Sequence, residues 1–180
     1  MHKIMTELHQ DHVNLARLLT LLDQQVDILA AGDEADLLLI TDIADYIRRY
    51  SDQIHHPKED EVYKVFCDHS DAAANVVAAL LTEHQHLPNA TLEFQKLIDG
   101  VINGDAIISR QDLQDKIVQF IALEKAHINT EEASLFPLIN NTLQADHWAR
   151  VESDMLEHTD PLFGAKVLER YQTLYQLISS

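Results

Sequence analysis

Four histidines and two glutamates stand out because their types and spacing could do chemistry together: His12, His55, His84 and His127, with Glu59 and Glu131 each four residues after a histidine. A four-residue step places each glutamate one helical turn beyond its histidine on the same face. Imidazole and carboxylate are transition-metal ligands. Two carboxylates able to bridge, with histidines on either side, suit a pair of iron or manganese ions better than tetrahedral structural zinc. One histidine on an apolar stripe is more often a hydrogen-bonded core residue than a ligand, so the metal reading requires that the four meet.

The elements that must position them read as helices. Met5, Leu8, Leu15, Leu19, Leu22, Val26 and Leu29 recur in steps of three and four, and His12 fills the single gap. Gly32 is a suitable C-terminal stop. A second helix from about Glu34 to about Cys67 carries His55 and Glu59 on its apolar stripe. A third follows the polar break at Asp68 to Asp71, with His84 between Leu80 and Leu87. A fourth follows the turn Asn103-Gly104-Asp105, with Glu124, His127 and Glu131 in its seam.

Short connections between long helices predict an antiparallel up-down-up-down four-helix bundle. Rise per residue is constant, so residues equidistant from a turn share a height. The midpoints between successive histidines fall at Asp33/Glu34, His69/Ser70 and Asp105/Ala106, which are the three turns. All four histidines are expected in one layer of an all-α core. The domain reading is a single unit over residues 1–180, with a bundle core over about 1–143 and C-terminal helical additions over about 144–180. Two shorter amphipathic pieces are expected there, Thr142 to Glu157 and Pro161 to Ile178, the second with Asp160 as N-cap and Pro161 at its first position.

Composition narrows the function classes. A net charge of −17 over 180 residues opposes binding to nucleic acid or anionic membranes. The N-terminus has no apolar run of the signal-peptide kind, and the longest apolar runs, such as Val76 to Leu81, are too short to span a bilayer. A cytoplasmic protein is expected. Cys67 is the sole cysteine, so no intrachain disulfide forms.

The stretches LHQDHVNLARLL around His12, IHHPKEDEVY around His55 and Glu59, LLTEHQHL around His84, and HINTEEASLFP around His127 and Glu131 resemble the hemerythrin-like, or HHE cation-binding, family. The likeness covers about Met1 to Leu143. It implies a non-heme diiron centre with carboxylate and solvent-derived bridges, and a role in binding or sensing oxygen, nitric oxide or peroxide, or in supplying iron. Carried onto this chain, His12 and His55 serve one iron, His84 and His127 the other, and Glu59 and Glu131 bridge. Two departures from the oxygen carriers count against reversible oxygen carriage. The turn neighbours of His84 are Leu80 and Pro88, neither a ligand, and the fourth-helix acid is Glu131 followed by Glu132 where an aspartate five positions after the histidine is typical.

Other residues take lesser places in this reading. His56, about 100° around the helix from His55, is expected to leave the core, with Asp60 and Glu61 on a solvated face and Glu132 a weak alternative bridge. Asp52 and Glu124 precede His55 and His127 by three positions. They read as acceptors for imidazole N–H groups or as partly exposed charges. A ferritin-like diiron carboxylate oxidase is the runner-up, because that class uses Glu-x-x-His on two helices. His2, His9, His69, His147 and His158 are expected at ends or outer faces without acidic partners. The stripe Val167, Tyr171, Leu174 and Ile178 must pack on the bundle or on a second copy of the chain, which makes a homodimer a hypothesis.

Overall fold

A computed structural model of the chain describes residues 1–155 and 158–179. The bundle consists of four rods. The first is α1 (Lys3–Ala31); the second is α2 (Leu37–Tyr46), a π-helical segment (Ile47–His55) and α3 (His56–Cys67) in unbroken succession. The third is α4 (Ala74–Asn103); the fourth is α5 (Arg110–Thr130), a second π segment (Glu131–Leu135) and α6 (Phe136–Thr142). Among the described residues there is no strand, and no helix is long and apolar enough to cross a membrane.

Capping follows the local chemistry. Asp36 and Ser109 accept hydrogen bonds from the backbone N–H groups of Leu39 and Asp112, satisfying first-turn donors of α2 and α5. The stops of α1 and α4 fall at Gly32 (φ 95°) and Gly104 (φ 77°), where a left-handed backbone favours glycine. Rods one and four pack together, as do rods two and three and rods three and four.

The two π segments answer how these rods carry proline. The His56 N–H reaches Ser51 O and the Phe136 N–H reaches Glu131 O, each five residues back. Pro57 and Pro137 then stand two residues beyond the ends of the π segments, inside the first turn of the α-helix that follows. That is where a missing donor is tolerated. Pro88 differs: α4 runs through it, and the His84 carbonyl simply lacks its regular helical donor.

Two apolar clusters fill the bundle. One is built on Leu18, Leu22, Ile43, Ile47 and Ile117, the other on Met5, Leu8, Val62, Phe66 and Leu80. The histidine layer lies between them along the rods, so apolar packing closes it off at both ends.

The C-terminal additions depart from expectation. The first is helical over α7 (Ala145–Asp154), and the expected end at Glu157 lies outside the described residues. No helix begins at Pro161. Asp160 does accept from the Leu162 and Phe163 N–H groups, as an N-cap would, but only a turn follows. Gly164, a poor helix former, closes that turn by donating to Asp160 O, and a Cβ there would stand 2.3 Å from the same oxygen. The final helix α8 is Gln172–Ser179, preceded by a 3-10 turn, Glu169–Tyr171. Tyr171 and Leu174 are buried in the first apolar cluster, so this stripe packs on the chain's own bundle.

Candidate metal centre

Each rod brings its expected histidine to the layer, and all four are buried, as are Glu59 and Glu131. His12 and His55 approach each other at Nε2–Nε2 3.0 Å, and His84 and His127 at 3.2 Å. The two glutamates lie between these pairs. Glu59 Oε1 is 3.4 Å from His12 Nε2 and 3.2 Å from His55 Nε2, while its Oε2 is 3.5 Å from His84 Nε2. Glu131 Oε2 is 3.2 Å from His12 Nε2 and 3.4 Å from His127 Nε2, while its Oε1 is 3.4 Å from His84 Nε2. Tyr63 donates to Glu131 Oε1 at 2.6 Å. Glu59 therefore presents one oxygen to each pair of imidazoles, while Glu131 reaches both pairs through Oε2 and the second pair through Oε1 as well.

The outer nitrogens are held by a ring of carboxylates that sequence reasoning missed. Asp11 accepts from His55 Nδ1 at 3.0 Å, Asp60 from His84 Nδ1 at 2.6 Å, Glu83 from His127 Nδ1 at 2.8 Å and Glu132 from His12 Nδ1 at 2.8 Å. Each rod thus supplies an acid to the next rod's histidine, and the fourth closes the circle on the first. Asp60 is not an idle surface charge, and Glu132 is not a bridge. Glu132 also binds His9 Nδ1 at 2.9 Å, which gives His9 the acidic partner it was expected to lack.

The signal for this ring was present in the sequence. Asp11/Glu83, His12/His84, Asp52/Glu124, His55/His127, Glu59/Glu131 and Asp60/Glu132 are each separated by 72 residues, so the two halves of the bundle repeat one pattern. Every outer acid is the immediate chain neighbour of an inner ligand. Rotated about 100° from it, the acid faces the adjacent rod.

A carboxylate at Nδ1 requires the proton there, so each Nε2 lone pair points inward. Lone pairs facing each other at about 3 Å beside two carboxylates are untenable without a cation. Three of the four oxygens of Glu59 and Glu131 have no hydrogen-bond partner, which leaves them for the same cation. Without a metal, protons must serve. Burial alone would lower the His12 imidazole, but the carboxylates of Glu131, Glu132 and Glu59 push it up to about 12. Against the same burial penalty, Glu59 and Asp11 raise His55 to about 9, and Asp60, Glu131 and Glu59 raise His84 to about 10. Burial raises both central glutamates, and the histidines outweigh it and hold them below the usual carboxylate range; for Glu131 they also outweigh the neighbouring Glu59. The residues fit a metal.

Two expectations are corrected. His56 does not leave the core: it is 3% exposed, with its ring 4.5 Å from that of His84 and 5.1 Å from that of His127. A rod in a square bundle faces two neighbours, and adjacent residues about 100° apart can each address one. The register shift of the π segment puts the core direction between His55 and His56. Asp52 and Glu124 are not partly exposed, and neither accepts from a ring nitrogen of the four inner histidines. Their side chains are buried, and both Asp52 oxygens and Glu124 Oε1 lack hydrogen-bond partners. His86 is exposed on α4.

Two groups of side chains have ligand atoms within 4.8 Å of one another, His12–His55–Glu59 and His56–Glu59–His84–His127. The class this defines is a helical-bundle metal protein with an imidazole and carboxylate core. The sequence places it further: the model of the hemerythrin HHE cation-binding domain matches residues 3–139, and the chain belongs to that family. Neither the curated proteins nor the solved structures searched contain a match.

The outer ring should matter for metal retention. Asp11→Asn keeps the shape but removes the charge that holds His55 Nδ1–H, and a 10–100-fold loss of metal affinity is expected. Competition against a chromophoric chelator measures it; unchanged affinity would mean that Asp11 does not orient His55.

Proposed function

We propose that the protein holds two iron ions and binds or senses oxygen or a related small oxidant, such as nitric oxide or peroxide. His12 and His55 would hold one ion, His84 and His127 the other, with Glu59 and Glu131 bridging. The observation that carries this reading is the placement of both buried glutamates between the two imidazole pairs, each with oxygens within 3.5 Å of both pairs. One tetrahedral zinc would use one pair and leave the other two inward lone pairs unsatisfied.

Bound iron would supply open coordination positions and one-electron chemistry toward oxygen. The chain's own part is to fix the ligands and keep the site dry. Asp11, Asp60, Glu83 and Glu132 set the tautomer and aim of each ring. Phe136 stacks on His12 at 5.2 Å, and Tyr63 holds one bridge oxygen by its hydroxyl. The two apolar clusters exclude bulk water, which strengthens every charge interaction between them.

Metal analysis with visible absorption, recorded before and after reduction, air exposure and azide addition, tests the reading. Two irons per chain with an azide-responsive spectrum are expected; one zinc and no optical response would sink it. Transfer of iron to an apo-acceptor without any response to oxidants would instead favour iron supply.

A further inference from the structure

The 72-residue correspondence between the halves does not extend to His56. The residue after His55 is His56, whereas the residue after His127 is Ile128, a partly buried apolar side chain packed against the first cluster. We propose that His56 is a fifth imidazole ligand, serving the metal position of His84 and His127. The inference rests on the diiron reading and adds to it an inequivalence between the two metals.

Geometry carries it. Imidazoles that share one ion at about 2 Å through nitrogen have ring centres roughly 4.5–5 Å apart when they take neighbouring positions. His12 and His55, the pair at the first position, are 4.9 Å apart. His84 and His127 are also 4.9 Å apart, and His56 completes a triangle with them at 4.5 and 5.1 Å. One of its ring nitrogens belongs to the set of ligand atoms, with those of Glu59, His84 and His127, that lie within 4.8 Å of one another.

The hydrogen bonding of His56 also differs from that of its neighbours. Each of the other four rings has Nδ1 on a carboxylate at 2.6 to 3.0 Å. His56 Nδ1 has no hydrogen-bond partner, its nearest acid being Asp52 at 3.7 Å, and Nε2 has only a long contact with Ser51 Oγ at 3.4 Å. A ring so buried and so weakly held has a lone pair to give, and leaving it unused would cost free energy. Packing offers no alternative account, because the other half places isoleucine at the corresponding position.

The test compares wild-type protein with His56→Ile, which installs the residue already accepted by the other half, and His56→Gln, both loaded with iron-57. Wild-type protein should show two distinct Mössbauer quadrupole doublets of equal area. In His56→Ile these should converge, with one iron bound at least about tenfold more weakly and the other unchanged. Doublets and affinities that stay as in wild type would overturn the proposal. Wild-type protein alone supplies a second readout: proton spectra of the reduced, paramagnetic form should contain five hyperfine-shifted exchangeable imidazole N–H signals, and four would refute the assignment even if both variants failed to fold. A wild type that binds a single ion would sink the two-iron reading. His56 would then stand or fall on whether its replacement weakens that ion.

Discussion

Glu59→Ala should lose metal from both positions at once, whereas His12→Ala should weaken one and spare the other. Glu59 Oε1 lies beside His12 and His55 and Oε2 beside His84, so one side chain would serve both ions of the proposed pair. No other contact can replace it: its oxygens have no hydrogen-bond partner, and the side chain is wholly buried. Removing a carboxylate also removes the charge that offsets two divalent ions in a site without bulk water. The loss should exceed the 10–100-fold that an outer hydrogen-bonding partner contributes, enough to leave the protein essentially metal-free after gel filtration. Metal content by mass spectrometry reads this directly. Retention of one full equivalent by Glu59→Ala would show that it serves one ion only and that Glu131 alone bridges.

What could be read from the sequence, and what could not, follows from how far each feature depends on neighbouring rods. His12, His55, His84 and His127 were legible because rise per residue and short turns fix height without any knowledge of side chains. Gly32 and Gly104 were legible because a left-handed stop is a local event. His56 was misread because the 100° rule assumes a regular helix, and a π segment ending at His55 breaks that assumption. Pro57 hinted at the irregularity without giving its direction. The outer acids were passed over because each was judged on its own rod, whereas Asp11, Asp60, Glu83 and Glu132 act on the next one. The 72-residue repeat would have exposed them as a set. Pro161 misled in the opposite way: a correct capping motif was present, but Gly164 lies too close behind it for a helix to form.

Glu124→Gln should stabilise the protein at neutral pH while leaving its metal content unchanged. Glu124 and Asp52 occupy corresponding places in the two halves, one turn before His127 and His55, and Glu124 Oε1 and both Asp52 oxygens have no hydrogen-bond partner. Burial first, then the charges of Asp52 and Glu131, raise the Glu124 carboxyl to about 8; burial raises Asp52 to about 6. An acid whose folded pKa lies above its unfolded value holds a proton that the unfolded chain releases. Its effect is therefore least unfavourable below about pH 4.5, worsens as pH rises toward 8, and is constant above. At pH 7 the folded state must keep that proton against a solution that would remove it, a cost of about 3 kcal/mol. Glutamine has nothing to ionise, so the gain should be about 2 kcal/mol, or roughly 4–8 °C in Tm for a chain of this size. The gap between variant and wild type should widen from pH 5 to pH 8 and then stay level. Asp52→Asn should show a smaller gain that develops by about pH 6. Bound metal one turn away favours the ionised carboxylate, so the Glu124→Gln gain should shrink when the site is loaded. Thermal melts at several pH values, with and without metal, measure both dependences. A pH-independent gap would show that Glu124 is already ionised in the native core.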